Sequence, residues 1–226
     1  MKVGIIIAFE REYNQMRQLL GGDQGHINGN HIVLRQSGIG KVNAALGTQK
    51  LIDEHHPDCI INTGVAGGID SSLRVMHLVA ARELVYHDVW CGDDNAPGQV
   101  QGLPERFPSN EALYHTALTL QNEIPIRGGL ICTGDQFITA DERLRQIKHD
   151  FPEALAVDME SCAIAHTCYL NQTPFLALRI ISDVPAEAKN QQEHVEQYND
   201  FWATMGDKSF QAIRTYLQHL PDSIAQ

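Results

Sequence analysis

Short apolar runs alternate along this chain with stretches of helical periodicity, and that alternation restricts the fold more than any other feature. Residues 3–9, 31–36, 59–63, 78–86, 129–132, 154–157 and 175–181 read as buried strands. Helical segments are expected over 10–20, 41–54, 110–121, 141–149 and 159–170. A last helix is expected over 197–220, where Phe201, Met205, Ile213, Tyr216 and Leu220 fall roughly on one face before Pro221. Strands separated by helices point to an α/β sheet. A length of 226 residues with 43% hydrophobic content is enough for a sizeable core, and a single domain over 1–226 is expected.

Charge and cysteine usage remove several classes of function. Twenty-eight acidic against 17 basic residues give a formal charge of -11, which opposes the phosphate neutralisation that nucleic-acid binding needs and argues equally against a membrane surface. The opening Met1-Lys2-Val3-Gly4-Ile5-Ile6-Ile7 is too short for a signal peptide, runs straight into Glu10-Arg11-Glu12 and has no small-residue cleavage site, so it reads as the first strand. Cys59, Cys91, Cys132, Cys162 and Cys168 are scattered, with no C-x-x-C spacing, and the 11 histidines include no H-x-x-x-H or H-E-x-x-H. Neither a disulfide framework nor a zinc site is indicated, and a reducing cytoplasm fits. The histidines read as solvated residues at helix ends.

Three acids stand where strands end. Glu12 follows the first, Glu160 closes Val157-Asp158-Met159-Glu160, and Asp183 closes Arg179-Ile180-Ile181-Ser182-Asp183. In open α/β sheets ligands bind outside the carboxyl ends of the strands, so the three can converge. Glu12 and Glu160 also sit near helix starts, where the helix dipole favours an acid without any catalytic role. Ser182-Asp183 runs instead into a loop. Arg179, inside an apolar strand, needs a carboxylate partner to be tolerated there.

Two glycine segments, Ser37-Gly38-Ile39-Gly40-Lys41 and Thr63-Gly64-Val65-Ala66-Gly67-Gly68, can either turn strand into helix or aim backbone N–H groups at a ligand. Neither carries a G-x-G-x-x-G fingerprint or a P-loop ending. Residues 89–109 and 184–196 are rich in Gly, Pro, Asp, Asn and Gln and read as long loops. The first carries Trp90, Leu103, Pro104 and Phe107, an apolar load that burial against a partner subunit would explain. Phe137-Ile138 can offer an aromatic face and a main-chain edge to a planar base, and Met159, Tyr198 and Phe201 can contact a ligand, although core packing accounts for each of them as well.

Taken in order, these segments resemble the bacterial 5'-methylthioadenosine/S-adenosylhomocysteine nucleosidases of the purine nucleoside phosphorylase superfamily. The resemblance rests on Gly4-Ile5-Ile6 with Glu10 to Glu12, Ser37 to Val42, Ile61-Asn62-Thr63-Gly64, Ala66-Gly67-Gly68, Tyr86-His87-Asp88, Gly134-Asp135, Phe137-Ile138, Val157 to Glu160 and Arg179 to Val184. It implies a three-layer α/β/α sandwich around a mixed, twisted sheet. It also implies hydrolysis of the N-glycosidic bond of an adenine nucleoside bearing a 5'-thioether, with no metal or cofactor.

Carried over residue by residue, Asp183 is the acid at adenine N7, a task that needs its proton in place near neutral pH. Glu12 activates the attacking water, and Glu160 accepts hydrogen bonds from the ribose hydroxyls. Phe137 stacks on the base, the main chain of Ile138 reads its edge, Met159 packs beneath the ribose, and Tyr198 lies near the ribose and 5' group. Ala66, Gly67, Ser182 and Arg179 belong to the same pocket. A homodimer is implied, with the 89–107 arm and its Phe107 completing the neighbour's 5'-alkylthio pocket. Val65 stands where many relatives have serine and Ile7 where glycine is common. A phosphate-dependent nucleoside phosphorylase and a non-catalytic nucleoside-binding protein are the alternatives.

Overall fold

A computed structural model describes residues 1–139, 142–184, 191–204, 206–221 and 223–224. The elements run β1 (Lys2–Ile7), α1 (Glu10–Leu20), β2 (Gln24–Ile27), β3 (Asn30–Gln36), α2 (Lys41–His55), β4 (Cys59–Gly68), β5 (Leu78–Tyr86) and β6 (Phe107–Pro108). They continue with α3 (Glu111–Thr119), β7 (Ile126–Thr133), α4 (Glu142–Asp150), β8 (Ala154–Asp158), α5 (Ser161–Leu170), β9 (Phe175–Asp183), α6 (Gln191–Thr204) and α7 (Gly206–Gln218).

The strands form one mixed sheet in the order β2-β3-β1-β4-β8-β7-β5-β6, with β9 bridging β4 and β5. β1 lies parallel to β3 and β4, and β9 is parallel to β4 but antiparallel to β5. The pairings β4–β8–β7–β5–β9–β4 therefore return to their starting strand, closing five strands into a ring beside the open β1–β3–β2 wing. Closure buries β9: all nine of its residues are buried, Arg179 and Asp183 included.

Apolar side chains pack on both faces, giving the three layers expected of the α/β/α sandwich. Met16 of α1, Leu113 and Ala117 of α3, Phe201 and Trp202 of α6 and Ile213, Tyr216 and Leu217 of α7 meet Ile5, Ile7, Ile61 and Leu178 on one side. Ala44 and Leu51 of α2 and Cys162 to Ala165 of α5 meet Ile6, Ile60, Ala177 and Ile181 on the other. Leu144 and Ile147 of α4 cover Leu130, Cys132 and Val157.

Several boundaries differ from those expected. The second glycine segment is not a turn: residues 63–68 continue β4, with a register shift between Ala66 and Gly67 where the strand passes from β9 toward β8. A helix begins at Gln191, inside the stretch expected to be loop, and ends at Thr204, while Met205 lies outside the described residues. The last helix of the reading thus corresponds to α6 and α7. α5 starts at Ser161, leaving Met159 and Glu160 ahead of it. The apolar content of the 89–107 arm is largely absorbed by its own subunit, because Val89, Val100 and Leu103 pack on the α2/α5 core and Phe107 is 3% exposed in β6, whereas Trp90 is exposed.

Candidate active site

One cavity opens where β1, β4, β7, β8 and β9 end. Glu12, Glu160 and Asp183 all line it, together with Ala66, Gly67, Phe137, Ile138, Met159, Arg179, Ser182 and Tyr198, and with Phe9, Ile39 and Val65. Of the expected site residues only Phe107 is elsewhere. It lies at the sheet edge, stacked on His166 with ring centroids 4.9 Å apart and edge-on to Tyr86.

Glu12 enters from the first turn of α1. That helix starts straight after β1 and stops at Gly21, whose left-handed backbone returns its N–H to the carbonyl of Arg17. The Glu12 carboxylate accepts the N–H of Val65 at 2.9 Å and that of Phe9 at 3.4 Å. Burial pushes its pKa from 4.5 up to about 7. The field of Arg179 and the two N–H groups oppose that rise, and the charge of Glu160 adds to it.

Glu160 is the N-cap residue of α5. Its Oε1 accepts the N–H of Gly40 at 3.0 Å and its Oε2 accepts Arg179 Nη2 at 3.0 Å. Arg179 also lies 3.1 Å from Asp158 through Nε and donates Nη1 to the carbonyl of Thr63 at 3.3 Å. The carboxylate partner that a buried arginine needs is thus present twice. Burial works against the guanidinium charge, but Asp158, Glu160 and Glu12 outweigh it and raise the Arg179 pKa. Burial likewise raises Glu160, with Arg179 pulling the other way.

The glycine segments serve these carboxylates. Gly40, at φ 92°, directs its N–H at Glu160, and Lys41 holds this loop through a bond from its N–H to Asp135 and from its ammonium to Asp88, at 2.8 and 2.7 Å. The β4 segment brings the Val65 N–H to Glu12. Gly64, at φ 140°, leaves no room for a side chain, since a Cβ there would stand 2.8 Å from Glu12 Oε2 and 3.0 Å from Arg179 Nη1. Backbone N–H groups from both segments, those of Gly40 and Val65, therefore hold acids in place, while Ala66 and Gly67 line the cavity.

Asp183 ends β9 at 3% exposure. Ser182 Oγ donates to its Oδ1, and His194 Nε2 lies against its Oδ2. His194 has no exposed surface, contrary to the expectation that the histidines are solvated. Asp158, which accepts the Thr133 hydroxyl and pairs with Arg179, likewise had no role assigned from sequence. An aromatic wall completes the site: Tyr198 stands edge-on to Phe137 and to Trp202, at centroid distances of 5.8 and 6.2 Å.

The arrangement is chemically specific. Glu12, Asp158 and Glu160 surround one guanidinium, so negative charge is in excess wherever Glu12 is ionised, and a cationic centre in the cavity would be stabilised. A carboxylate with a pKa near neutrality can act as a base. An aromatic face beside a buried acid can receive a planar heterocycle.

The profile of the phosphorylase superfamily matches residues 3–218. The 5'-methylthioadenosine/S-adenosylhomocysteine nucleosidase of Neisseria meningitidis, solved with methylthio-immucillin-A, is 34% identical at a TM-score of 0.87, over 96% of this chain and 98% of that one. That of Colwellia psychrerythraea 34H, solved with adenine, is 34% identical at 0.87, over 100% and 98%. The S-adenosylhomocysteine nucleosidase of Streptococcus pyogenes, in complex with 5-methylthiotubericidin, is 32% identical at 0.88, over 98% of each chain. Matched along nearly its whole length in both sequence and fold, the chain belongs to the phosphorylase superfamily.

Proposed function

We propose that this chain hydrolyses the N-glycosidic bond of 5'-methylthioadenosine and S-adenosylhomocysteine, releasing adenine and the 5'-substituted ribose. The observation that carries the reading is the convergence of Glu12, Glu160 and Asp183 on one cavity beside Phe137. Asp183 assists departure of the base at N7. Phe137 stacks on the purine while the Ile138 main chain reads its edge. Glu160, fixed by Arg179 and Gly40, accepts the ribose hydroxyls, and Met159 packs below the sugar. Glu12 takes a proton from water as that water attacks the anomeric carbon, and the surplus of negative charge favours the cation-like ribose.

Water is favoured over phosphate as the nucleophile by the state of Arg179. It is 2% exposed and engaged by two carboxylates, so an incoming phosphate would meet Glu12 and Glu160 without a free arginine among the described residues lining this cavity. Adenine release from 5'-methylthioadenosine in phosphate-free buffer tests this directly, and strict dependence on added phosphate would make the enzyme a phosphorylase. The acid role has its own test. Asp183→Asn keeps the shape and loses the acidic proton, so turnover should drop at least about a thousandfold while the far-UV spectrum is retained. Near wild-type turnover would remove Asp183 from its role.

The reading includes a homodimer. Ile39, Val42 and Leu46 follow one another along the exposed start of α2 and its approach, at 49, 70 and 57% exposure, with Leu170 of the adjoining α5 at 62%. Ile39 also lines the cavity, so a second copy seated on this strip would reach the site. Sedimentation at micromolar concentration, with Val42→Asp as the disrupting variant, tests the assembly. No described helix is long and apolar enough to cross a membrane; a cytoplasmic setting rests on the scattered, unpaired cysteines.

A further inference from the structure

Both oxygens of the Asp183 carboxyl group are engaged within the chain, one by Ser182 and the other by His194. His194 stands in the first turns of α6, fully buried, with its ring stacked on Phe137 at a centroid distance of 5.4 Å and an interplanar angle of 30°. Its remaining nitrogen, Nδ1, has no hydrogen-bond partner among the described residues.

A purine bound as described above makes the same pair of contacts through its five-membered ring: a face on Phe137 and a ring nitrogen toward Asp183. An imidazole and that half of a purine are both five-membered aromatic rings with two nitrogens. One phenyl face and one carboxyl oxygen do not serve both at once. The cavity measures about 170 Å³, below the roughly 300 Å³ at which small-molecule pockets begin, so a side chain that moves would add room for a nucleoside. His194 is suited to be that side chain, because leaving lets its unpaired Nδ1 reach water.

We propose that His194 is an internal stand-in for the base: it fills the base position through Phe137 and Asp183 until a ligand displaces it, and so sets the affinity of the site. This rests on reading the cavity as an adenine-nucleoside site. Displacement is a property of the unliganded molecule. It therefore weakens every occupant of the base position by the same factor, whatever that occupant offers Asp183.

Equilibrium titration of the full chain with adenine and with 7-deazaadenine, which lacks the N7 acceptor, separates this role from others. His194→Ala should tighten both ligands by one common factor of about ten. His194→Phe, which keeps a ring on Phe137 but has no nitrogen for Asp183, should tighten both by a smaller common factor. In crystals of the wild type with adenine, Nε2 should have left Asp183. Unchanged or weaker binding in folded variants would overturn the proposal, and so would unequal factors for the two ligands, which would mean that His194 touches the bound base. An adenine complex retaining the His194–Asp183 contact would overturn it too, even if His194→Ala fails to fold. Common tightening of adenine without cleavage of 5'-methylthioadenosine would instead uphold the stand-in and remove the hydrolytic reading.

Discussion

Glu12 and Glu160 are the same side chain, each 4% exposed, each near the start of a helix, facing one cavity from distant parts of the sequence. Their partners differ. Glu160 is bonded to a guanidinium, whereas Glu12 has only two peptide N–H groups and feels that guanidinium through space. Burial pushes both toward the neutral form, and Arg179 opposes it in both, through space at Glu12 and through a direct bond as well at Glu160. The lesson is that two acids buried to the same depth can be held by different partners, one by a cation and the other by peptide N–H groups alone. The first arrangement suits a group that grips hydroxyls, and the second suits a base.

The contrast is broken most sharply by Glu12→Gln. Hydrolysis should fall by about 10² to 10⁴ while adenine binding persists, as measured by single-turnover kinetics and titration. An unreduced rate would mean that water is activated elsewhere.

Stability should separate the two acids by sign. Because Glu12 has a folded pKa of about 7 against 4.5, the native state holds a proton between pH 4.5 and 7 that the unfolded chain has released. Stability from this group is therefore full below pH 4.5 and lost as pH rises through 7, a loss of about 3 kcal/mol at pH 8. Glu12→Gln should be the more stable protein at pH 8 by up to about that amount. Glu160→Gln loses a charged hydrogen bond to Arg179, which keeps its Asp158 partner, and should be less stable by about 2 kcal/mol. Urea denaturation at pH 5 and pH 8 checks both, and a shared sign would erase the distinction.

A smaller effect would sharpen it. The acidic limb of kcat/KM should lie near pH 7, where Glu12 ionises. Val65→Ser puts a hydroxyl on the residue whose own N–H already bonds Glu12, favouring the charged form. The limb should move down by about half a pH unit with only a few-fold change in rate. An upward shift would show that the hydroxyl faces away.

Most of the sheet was legible because β1, β3, β5, β7, β8 and β9 contain apolar runs of strand length. β2 was not: Gln24-Gly25-His26-Ile27 has one apolar residue and owes its form to antiparallel pairing with β3. The end of β4 was hidden because glycine ordinarily marks a turn, and here it marks close approach of side chains from α1 and β9. The acids were found at strand ends, and Arg179 by the cost of leaving a charge alone in a strand. His194 gave no local signal, since Gln191-Gln192-Glu193-His194 is polar throughout and its place against Phe137 and Asp183 is set by the tertiary fold. The ring closure through β9 is likewise a tertiary fact that no periodicity encodes.

The bare backbone at Gly64 has a consequence for the chain's history. An acid from the first helix and a cation from the last strand meet over a spot with no space for even a methyl group. Saturating that codon and selecting for activity should return glycine and nothing else, whereas Val65 next door should accept several residues. Heredity at this wall is thus set by an atom that has to be missing.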